Sequence, residues 1–377
     1  MRRIIGAVLI GLLLMGMAAL GAWRLSGRGG GAVLSRDASP VGQTASTPTN
    51  LKTVRGVVGS EKKAFFSDPE VKRIFALNGL SVEVDSAGSR EIATSTDLKA
   101  YDFASPSSAP AAEKIKREHK TLGAYSPFYS PIAIASFQPI VDLLEKAGVA
   151  KKAPAGYWSF DVNAYLKIVN KRTRWDELPG NTAYPASKAV LVTTTDVRRS
   201  NSAAMYLAMA SYAANGNRVV STKDEVAAVL PAMERLFLGQ GFSESSTEYP
   251  FEDYLALGKG KTPLLLTYES LFLDRQMRND GSITSDMVLL YPTPDVLSKH
   301  AMLALTKNGD TVGELVSENP DLQRLAADYG FRTTNPATFR EVLSRSGVAM
   351  PPELVNVVEP PRYELLESMI VALEKQY

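Results

Sequence analysis

The sequence predicts an α/β protein in which a sheet of parallel strands is flanked by helices. Three observations carry that expectation. Short β-branched strands alternate with amphipathic helical segments from Thr53 onward. Those strands end in loops of small polar residues, and ligands of open α/β sheets sit just outside the carboxyl ends of the strands. At 377 residues the chain is long enough for two domains or one large two-lobed domain.

Residues 1–25 are expected to form a membrane helix. After Arg2 and Arg3, the twenty residues from Ile4 to Trp23 carry no charge, the length needed to cross a hydrocarbon core of ~30 Å. Ala19 and Gly21 offer a small-x-small cleavage pattern. The apolar run exceeds the usual signal-peptide core of roughly 7–15 residues, so an uncleaved signal-anchor is the expectation. Residues 26–50 are rich in Gly, Ser, Thr and Pro, cannot bury a core, and read as a flexible tether. A very short tail ahead of the helix places the folded part on the extracytoplasmic side of a cell membrane.

Composition narrows the chemistry. Hydrophobic residues make up 45% and charged residues 22%, as in an ordinary folded protein. The net charge of +2 comes with no basic block interleaved with aromatics, so nucleic acid is not an expected partner. With no cysteine, thiolate nucleophiles, disulfides and zinc–thiolate sites are excluded. His119 and His300 are the only histidines, which excludes a multi-His metal site. No cofactor or metal is called for.

Within the folded part, Val54 to Val58 reads as a buried strand ended by Gly59. Asp68 caps a helix with Pro69 at its first position, and Val71, Ile74, Phe75 and Leu77 form the apolar face. Leu80 to Val84 is a second strand and Tyr101 to Ala104 a third. Their loops, Gly59–Lys62, Ser86–Arg90 and Ser105–Ser108, form a coherent candidate site. Ser130 to Ala135 is a further strand, followed by helices around Ile140–Leu144 and Tyr165–Val169, with Tyr157–Phe160 between. Lys171-Arg172-Thr173-Arg174-Trp175 is a basic–aromatic cluster at a helix end. Thr262–Tyr268, Met287–Tyr291 and His300–Leu305 are expected strands, and a helix lies near Ala227–Leu238. The rest is mostly helical, with Gly330-Phe331 ending one helix and Pro360-Pro361 opening the last.

The stretch from Val190 to Ala214 organises the site. Val190–Thr193 reads as a buried strand, and the residues from Ala203 carry Met205, Tyr206, Met209 and Tyr212 at helical spacing. Between them stand Thr195, Asp196, Arg198, Arg199, Ser200, Asn201 and Ser202. Hydroxyls, arginines and a fresh helix N-terminus suit an anionic or polar ligand. The plainer reading is a capped helix with solvated arginines. Since Arg198 and Arg199 are adjacent, at most one should point into a cleft.

These motifs resemble those of the type 2 periplasmic solute-binding proteins, the group that includes molybdate and sulfate binders. The matching stretches are VVGSEKKAFF, VDSAGSREI, FASPSS, SPIAIA, VTTTDVRRSNSAAMY, LLTYES, and LYPTP with SKHAMLAL and GFR. The likeness covers roughly residues 51–332. It looks closest to membrane-anchored bacterial solute-binding-like proteins, some relatives of which adjoin von Willebrand factor type A domains. It implies two lobes, residues 51–131 plus 300–377 and residues 132–299, that close over a ligand. Strands near Pro131–Ala135 and Pro294–Leu303 would cross between them. The implied ligand residues are Ser60, Glu61, Lys62, Ser89, Arg90 and Ser107 from lobe one, and Asp196, Arg198, Ser200, Asn201, Ser202, Tyr268 and Glu269 from lobe two. The implied partner is a membrane transporter or a von Willebrand factor type A domain.

An enzyme is the rival. Ser60-Glu61-Lys62-Lys63 resembles the S-x-x-K motif of penicillin-interacting serine enzymes, with Ser60 as nucleophile and Lys63 beside it. Its companions fail: Ser200-Asn201-Ser202 ends in Ser where Asn is needed, and Lys261-Thr262-Pro263 lacks the glycine. A second alternative is a tethered binding fold that serves as a scaffold without cargo. The expectation is a binding protein, not an enzyme.

Overall fold

The structure, a computed structural model, describes residues 50–377 apart from 242 and 355. The expected membrane helix, and all of the tether but Asn50, lie outside the described residues. Among the described residues no helix is long and apolar enough to cross a membrane.

Strand β1 (Lys52–Val58) leads through helices α1 (Lys63–Ser67) and α2 (Pro69–Leu77) to β2 (Leu80–Ser86). Asp68 and Pro69 start α2 as expected. The Asp68 carboxylate accepts from the Glu70 and Val71 amides at 2.7 and 3.1 Å, and Pro loses nothing where an amide has no intrahelical partner. β1 and β2 are parallel, Val54 opposite Val82 and Val58 opposite Ser86. After α3 (Ser89–Thr94), β3 (Phe103–Ser105) joins the other edge of β1, also parallel. Gly56 is required there: a β-carbon would lie 2.1 Å from the Phe103 ring.

Helix α4 (Ala109–Glu118) leads to β4 (Gly123–Phe137), a strand of 15 residues. Then come α5 (Gln138–Lys146), β5 (Ala150–Lys152), β6 (Trp158–Asp161), α6 (Val162–Asn170), α7 (Asn201–Ala214), α8 (Lys223–Phe237) and α9 (Glu248–Leu257). Next are β7 (Leu264–Tyr268), α10 (Glu269–Arg278), β8 (Met287–Thr293) and β9 (Leu297–Ala304). Last are α11 (Lys307–Glu318), α12 (Pro320–Asp328), the short β10 (Arg332–Thr333), α13 (Pro336–Arg345) and α14 (Tyr363–Glu374).

The strands follow one path, β2-β1-β3-β9-β4-β8-β6-β5, with β7 and β10 also paired to β4. The sheet is mixed, where the sequence predicted a parallel one. β1, β2 and β3 are parallel and so are β6 and β8, but β4 runs antiparallel to β7, β8, β9 and β10. The reason lies in the reach of β4. Up to Pro131 it pairs with β9, and from Ile132 it pairs with β7 and β8, so β8 and β9 run in turn along one strand.

The expected strand at Val190–Thr193 does not form as an element. Only Thr193 bridges to β7, bonding Leu264 and Leu266 at 2.9 and 2.8 Å. Helix α7 buries 12 of its 14 residues, so it is a central helix rather than an amphipathic one. Trp175, read as part of a basic–aromatic cluster, is core: it is 1% exposed and edge-on to Tyr184.

The largest core gathers α5 to α8 around the second part of β4 and takes in Leu366, Met369, Ile370 and Leu373 of α14. The sequence reading grouped α14 with residues 51–131 instead. A second core lies under α1, α2, α11 and α12, with Phe65, Phe75, Val312 and Leu322. A third joins α3 and α4 to the sheet through Ile92, Ile115, Val57 and Leu303.

Candidate functional site

Parallel neighbours place their end loops side by side. The loops after β1 and β2 therefore contribute Ser60, Glu61, Gly88 and Ser89 to one cavity of about 280 Å³. The facing wall comes from the starts of α7 and α9 and the end of β7: Ser200, Asn201, Ser246, Thr247, Glu248 and Tyr268. Neither N-cap residue, Ser200 or Thr247, caps its helix through its side chain. Their hydroxyls are engaged elsewhere. Ser202 Oγ stands 3.0 Å from Ser200 Oγ, 2.8 Å from Thr247 Oγ1 and 2.9 Å from Thr195 Oγ1, a chain of four hydroxyls that ties α7 to α9. Among the described residues the side-chain partner of the first α9 amide is Ser246 Oγ, a long 3.4 Å away. Two helix starts thus face the cavity with amide donors and a favourable dipole for negative charge.

Behind the Ser60 side of the cavity lies a buried charged cluster. The Lys62 ammonium, 0% exposed, donates to Glu61 Oε1 at 2.6 Å, Ser107 Oγ at 2.6 Å and His300 Nδ1 at 3.0 Å. The Ser107 hydroxyl donates in turn to Glu61. Burial opposes the charge on Glu61, but the Lys62 ammonium beside it outweighs that and holds the carboxyl well below the usual carboxylate range. Burial pulls the Lys62 pKa down against the attraction of Glu61. Burial and then Lys62 push His300 down to about 4, so the imidazole is neutral. Its Nδ1 accepts from Lys62, which leaves Nε2 carrying the proton with no partner among the described residues.

Asn201 stitches the walls together. Its Nδ2 donates to the Ser107 carbonyl at 3.0 Å and to Tyr268 Oη at 3.2 Å, and Ser298 Oγ donates to the same carbonyl. The Ser107 amide donates to Ser89 Oγ at 2.8 Å. Ser60 Oγ and Ser246 Oγ meet at 3.2 Å. Tyr268 is kept a phenol by burial, reinforced by the charge of Glu61. Glu248 is pushed up, first by burial and then by Glu61.

Of the residues expected to meet a ligand, Ser60, Glu61, Ser89, Ser200, Asn201 and Tyr268 line the cavity. Lys62, Ser107 and Ser202 are fully buried behind its wall. Four expectations are corrected. Glu269 is 0% exposed and forms a two-pronged pair with Arg332 at 2.6 and 2.8 Å, with Tyr291 Oη donating at 2.8 Å, so its charge is consumed inside the protein. Arg90 is taken by Glu367 of α14. Asp196 and Arg198 fork onto each other at 2.6–3.0 Å, and the Arg198 guanidinium lies over the Tyr377 ring. Of the adjacent arginines it is Arg199 that lines the cavity.

Sequence reasoning missed the wall from Ser245 to Tyr249, and it missed His300 and Ser298. The first carried a signal: Ser245-Ser246-Thr247-Glu248 is a capping pattern ahead of the buried Phe251 and Tyr254. His300 and Ser298 lie within β9, where a strand pattern gives no hint of which face meets the loops.

The polar cavity thus lies at the carboxyl ends of the parallel strands β1 and β2 of a mixed sheet, where ligands of open α/β sheets sit. The fold is similar to that of the sulfate-binding protein SubI from Mycobacterium tuberculosis H37Rv, at 15% identity, covering 81% of this chain and 93% of that one, with a TM-score of 0.51. It is also similar to an ABC transporter structure from Clostridium perfringens ATCC 13124, at 10% identity, 86% and 98% coverage and a TM-score of 0.53. A periplasmic thiamin binding protein matches at 10% identity, 86% and 96% coverage and a TM-score of 0.50. No protein-family model and no curated protein matches the chain.

Proposed function

We propose that this chain is an extracytoplasmic solute-binding protein that holds a small polar or anionic ligand in its cavity, for transport or sensing. The observation that carries this is the convergence on one cavity of two helix starts with the hydroxyls of Ser60, Ser89, Ser246 and Tyr268. Hydroxyl and amide donors hold an oxyanion without a full counter-charge. Lys62 neutralises Glu61 from behind, so that carboxylate does not repel an anion at full strength. The likeness in fold to a sulfate-binding and a thiamin binding protein supports a small-ligand role.

Under this reading residues 51–131 with the segment from 300 onward and residues 132–299 are two lobes, with α14 seated on the core of the second. β4 crosses between them near Pro131–Ala135, and a second crossing runs near Pro294–Leu303. Residues 1–25 tether the protein to the outer face of a cell membrane, beside a transporter or a von Willebrand factor type A partner. Binding is favoured over serine catalysis because Ser60 Oγ is engaged by Ser246 Oγ at 3.2 Å and the companion motifs of the serine enzymes are incomplete in the sequence.

A thermal-shift screen of the full chain against sulfate, phosphate, molybdate, amino acids and small carboxylates tests the proposal. A ligand at 100 times its Kd adds about 2.7 kcal/mol of stability. The shift should vanish in the Asn201→Ala, Ser202→Ala double variant. No shift across the panel would sink the binding assignment and favour a tethered scaffold without cargo.

A further inference from the structure

We propose that α14 is a strap across the cavity walls and that the Arg90–Glu367 ion pair is its clasp. The helix belongs to two neighbourhoods at once. Its apolar face, Leu366, Met369, Ile370 and Leu373, is buried in the core built by α7 and α8. Its polar face meets α3 and α4, whose Ile92 and Ile115 belong to a separate core with Val57. Arg90 Nε lies 3.0 Å from both oxygens of Glu367, and Nη2 reaches Oε1 at 2.6 Å. Glu374 stands 3.7 Å from the same guanidinium. On α4, Arg117 pairs with Glu364 at 2.7 Å and the Lys114 ammonium lies over the Tyr363 ring.

Burial decides which of these contacts holds. Arg117 and Glu364 are 55% and 60% exposed, and such pairs contribute little. Arg90 and Glu367 are 26% and 22% exposed, and their forked geometry is the strong kind. The same arginine donates from Nη1 to the Arg198 carbonyl at 3.2 Å, just ahead of α7.

The clasp sits directly behind the cavity. Ser89, the neighbour of Arg90, lines it from one side, while Ser200 and Asn201 line it from the other. A void of about 30 Å³ beneath α14 touches these three residues together with Glu367 and Ile370, so the strap backs the wall where the two sides meet. The loops touch there as closely as backbone allows: a β-carbon on Gly88 would lie 2.0 Å from the Arg199 carbonyl oxygen. Separating α3 from α7 therefore requires breaking the Arg90–Glu367 pair. The apolar face keeps α14 on α7 and α8, so the polar face releases first. In this arrangement Arg90 and Glu367 are positioning residues that set how far the cavity opens, without touching its contents.

The chain has no cysteine, so Lys99→Cys and Lys223→Cys, both at exposed positions, accept two spin labels and no others. Pulsed electron paramagnetic resonance on the full chain then reads the distance between the two sides without any ligand, independently of what the cavity binds. Glu367→Arg should add a longer-distance population and speed deuterium exchange of residues 89–94 at least tenfold, with α14 still protected. The charge-swapped pair Arg90→Glu, Glu367→Arg should restore both readings. An unchanged distance distribution in Glu367→Arg would overturn the proposal, as would faster exchange confined to α14. If Glu367→Arg does not fold, Glu367→Gln decides by the same two readings.

Discussion

An ammonium that water does not reach needs partners within hydrogen-bond range, and Lys62 has three: Glu61, Ser107 and His300. Two of them titrate, which makes the cluster sensitive to acid. His300 has a folded pKa of about 4 against an ordinary 6.5. Between those values the unfolded chain takes up a proton that the folded chain refuses, so stability falls as the pH drops from 6.5 towards 4. Glu61, held low in the fold, adds a further loss below its ordinary 4.5 as the pH falls towards its depressed value. Chemical denaturation at a series of pH values should show the decline, and His300→Gln should flatten the limb between 6.5 and 4. An unaltered limb in that variant would show that His300 is not its source. Little of this was legible in the sequence. Ser60, Ser89 and Asn201 could be found because small polar residues after strands form a local pattern. The partners of Glu269 and Arg90 lie 63 and 277 positions away, and no local pattern reports which charge a distant helix will consume.

At the level of elements, the site depends on how closely α3 approaches the start of α7. Gly88 is the N-cap of α3, with ordinary extended dihedrals, so its glycine is required by contact rather than by backbone strain. Gly88→Ala would drive a methyl group into the Arg199 carbonyl, and neither backbone can yield by a side-chain rotation. The expected cost is about 1–3 kcal/mol in denaturant unfolding, the usual range for overpacking, with a matching loss of any ligand-induced thermal shift. A variant as stable as the wild type would mean that these loops separate freely. The elements themselves were largely legible. The Asp68-Pro69 start of α2, the strands β1, β2 and β7, and the Ser130–Ala135 part of β4 follow from capping chemistry and β-branched runs, while the rest of β4, from Gly123 to Tyr129, does not. The parallel sheet did not, because whether β4 and β9 run antiparallel is decided by connections across the whole chain. Val190–Thr193 has strand composition, but its amides are divided among different partners, Val190 to the Thr173 carbonyl, Val192 to Tyr165 Oη and Thr193 to β7, so no ladder forms.

For the molecule as a whole, the question is whether separate cores behave as separate folding units. Distinct cores favour stepwise unfolding, as in chains of independent domains. Shared elements oppose it, and here β4 is shared along its full length. Its first part holds β9 from Gly123 to Pro131, and its second holds β7 and β8 from Ile132 to Phe137. α14 adds a second link, joining the largest core to α3 and α4. Unfolding the β1–β3 side alone would strip β9 from β4 and leave its amides unpaired, while α14 lost every partner on its polar face. Those costs fall on the side that remains folded, so the two sides should unfold together. Differential scanning calorimetry of the full chain should therefore give one transition, with a calorimetric enthalpy on the order of 200 kcal/mol matched by the van't Hoff enthalpy. A van't Hoff value near half the calorimetric one would mean that β4 transmits little between the cores. Cavity closure would then rest on α14 and the loop contacts alone.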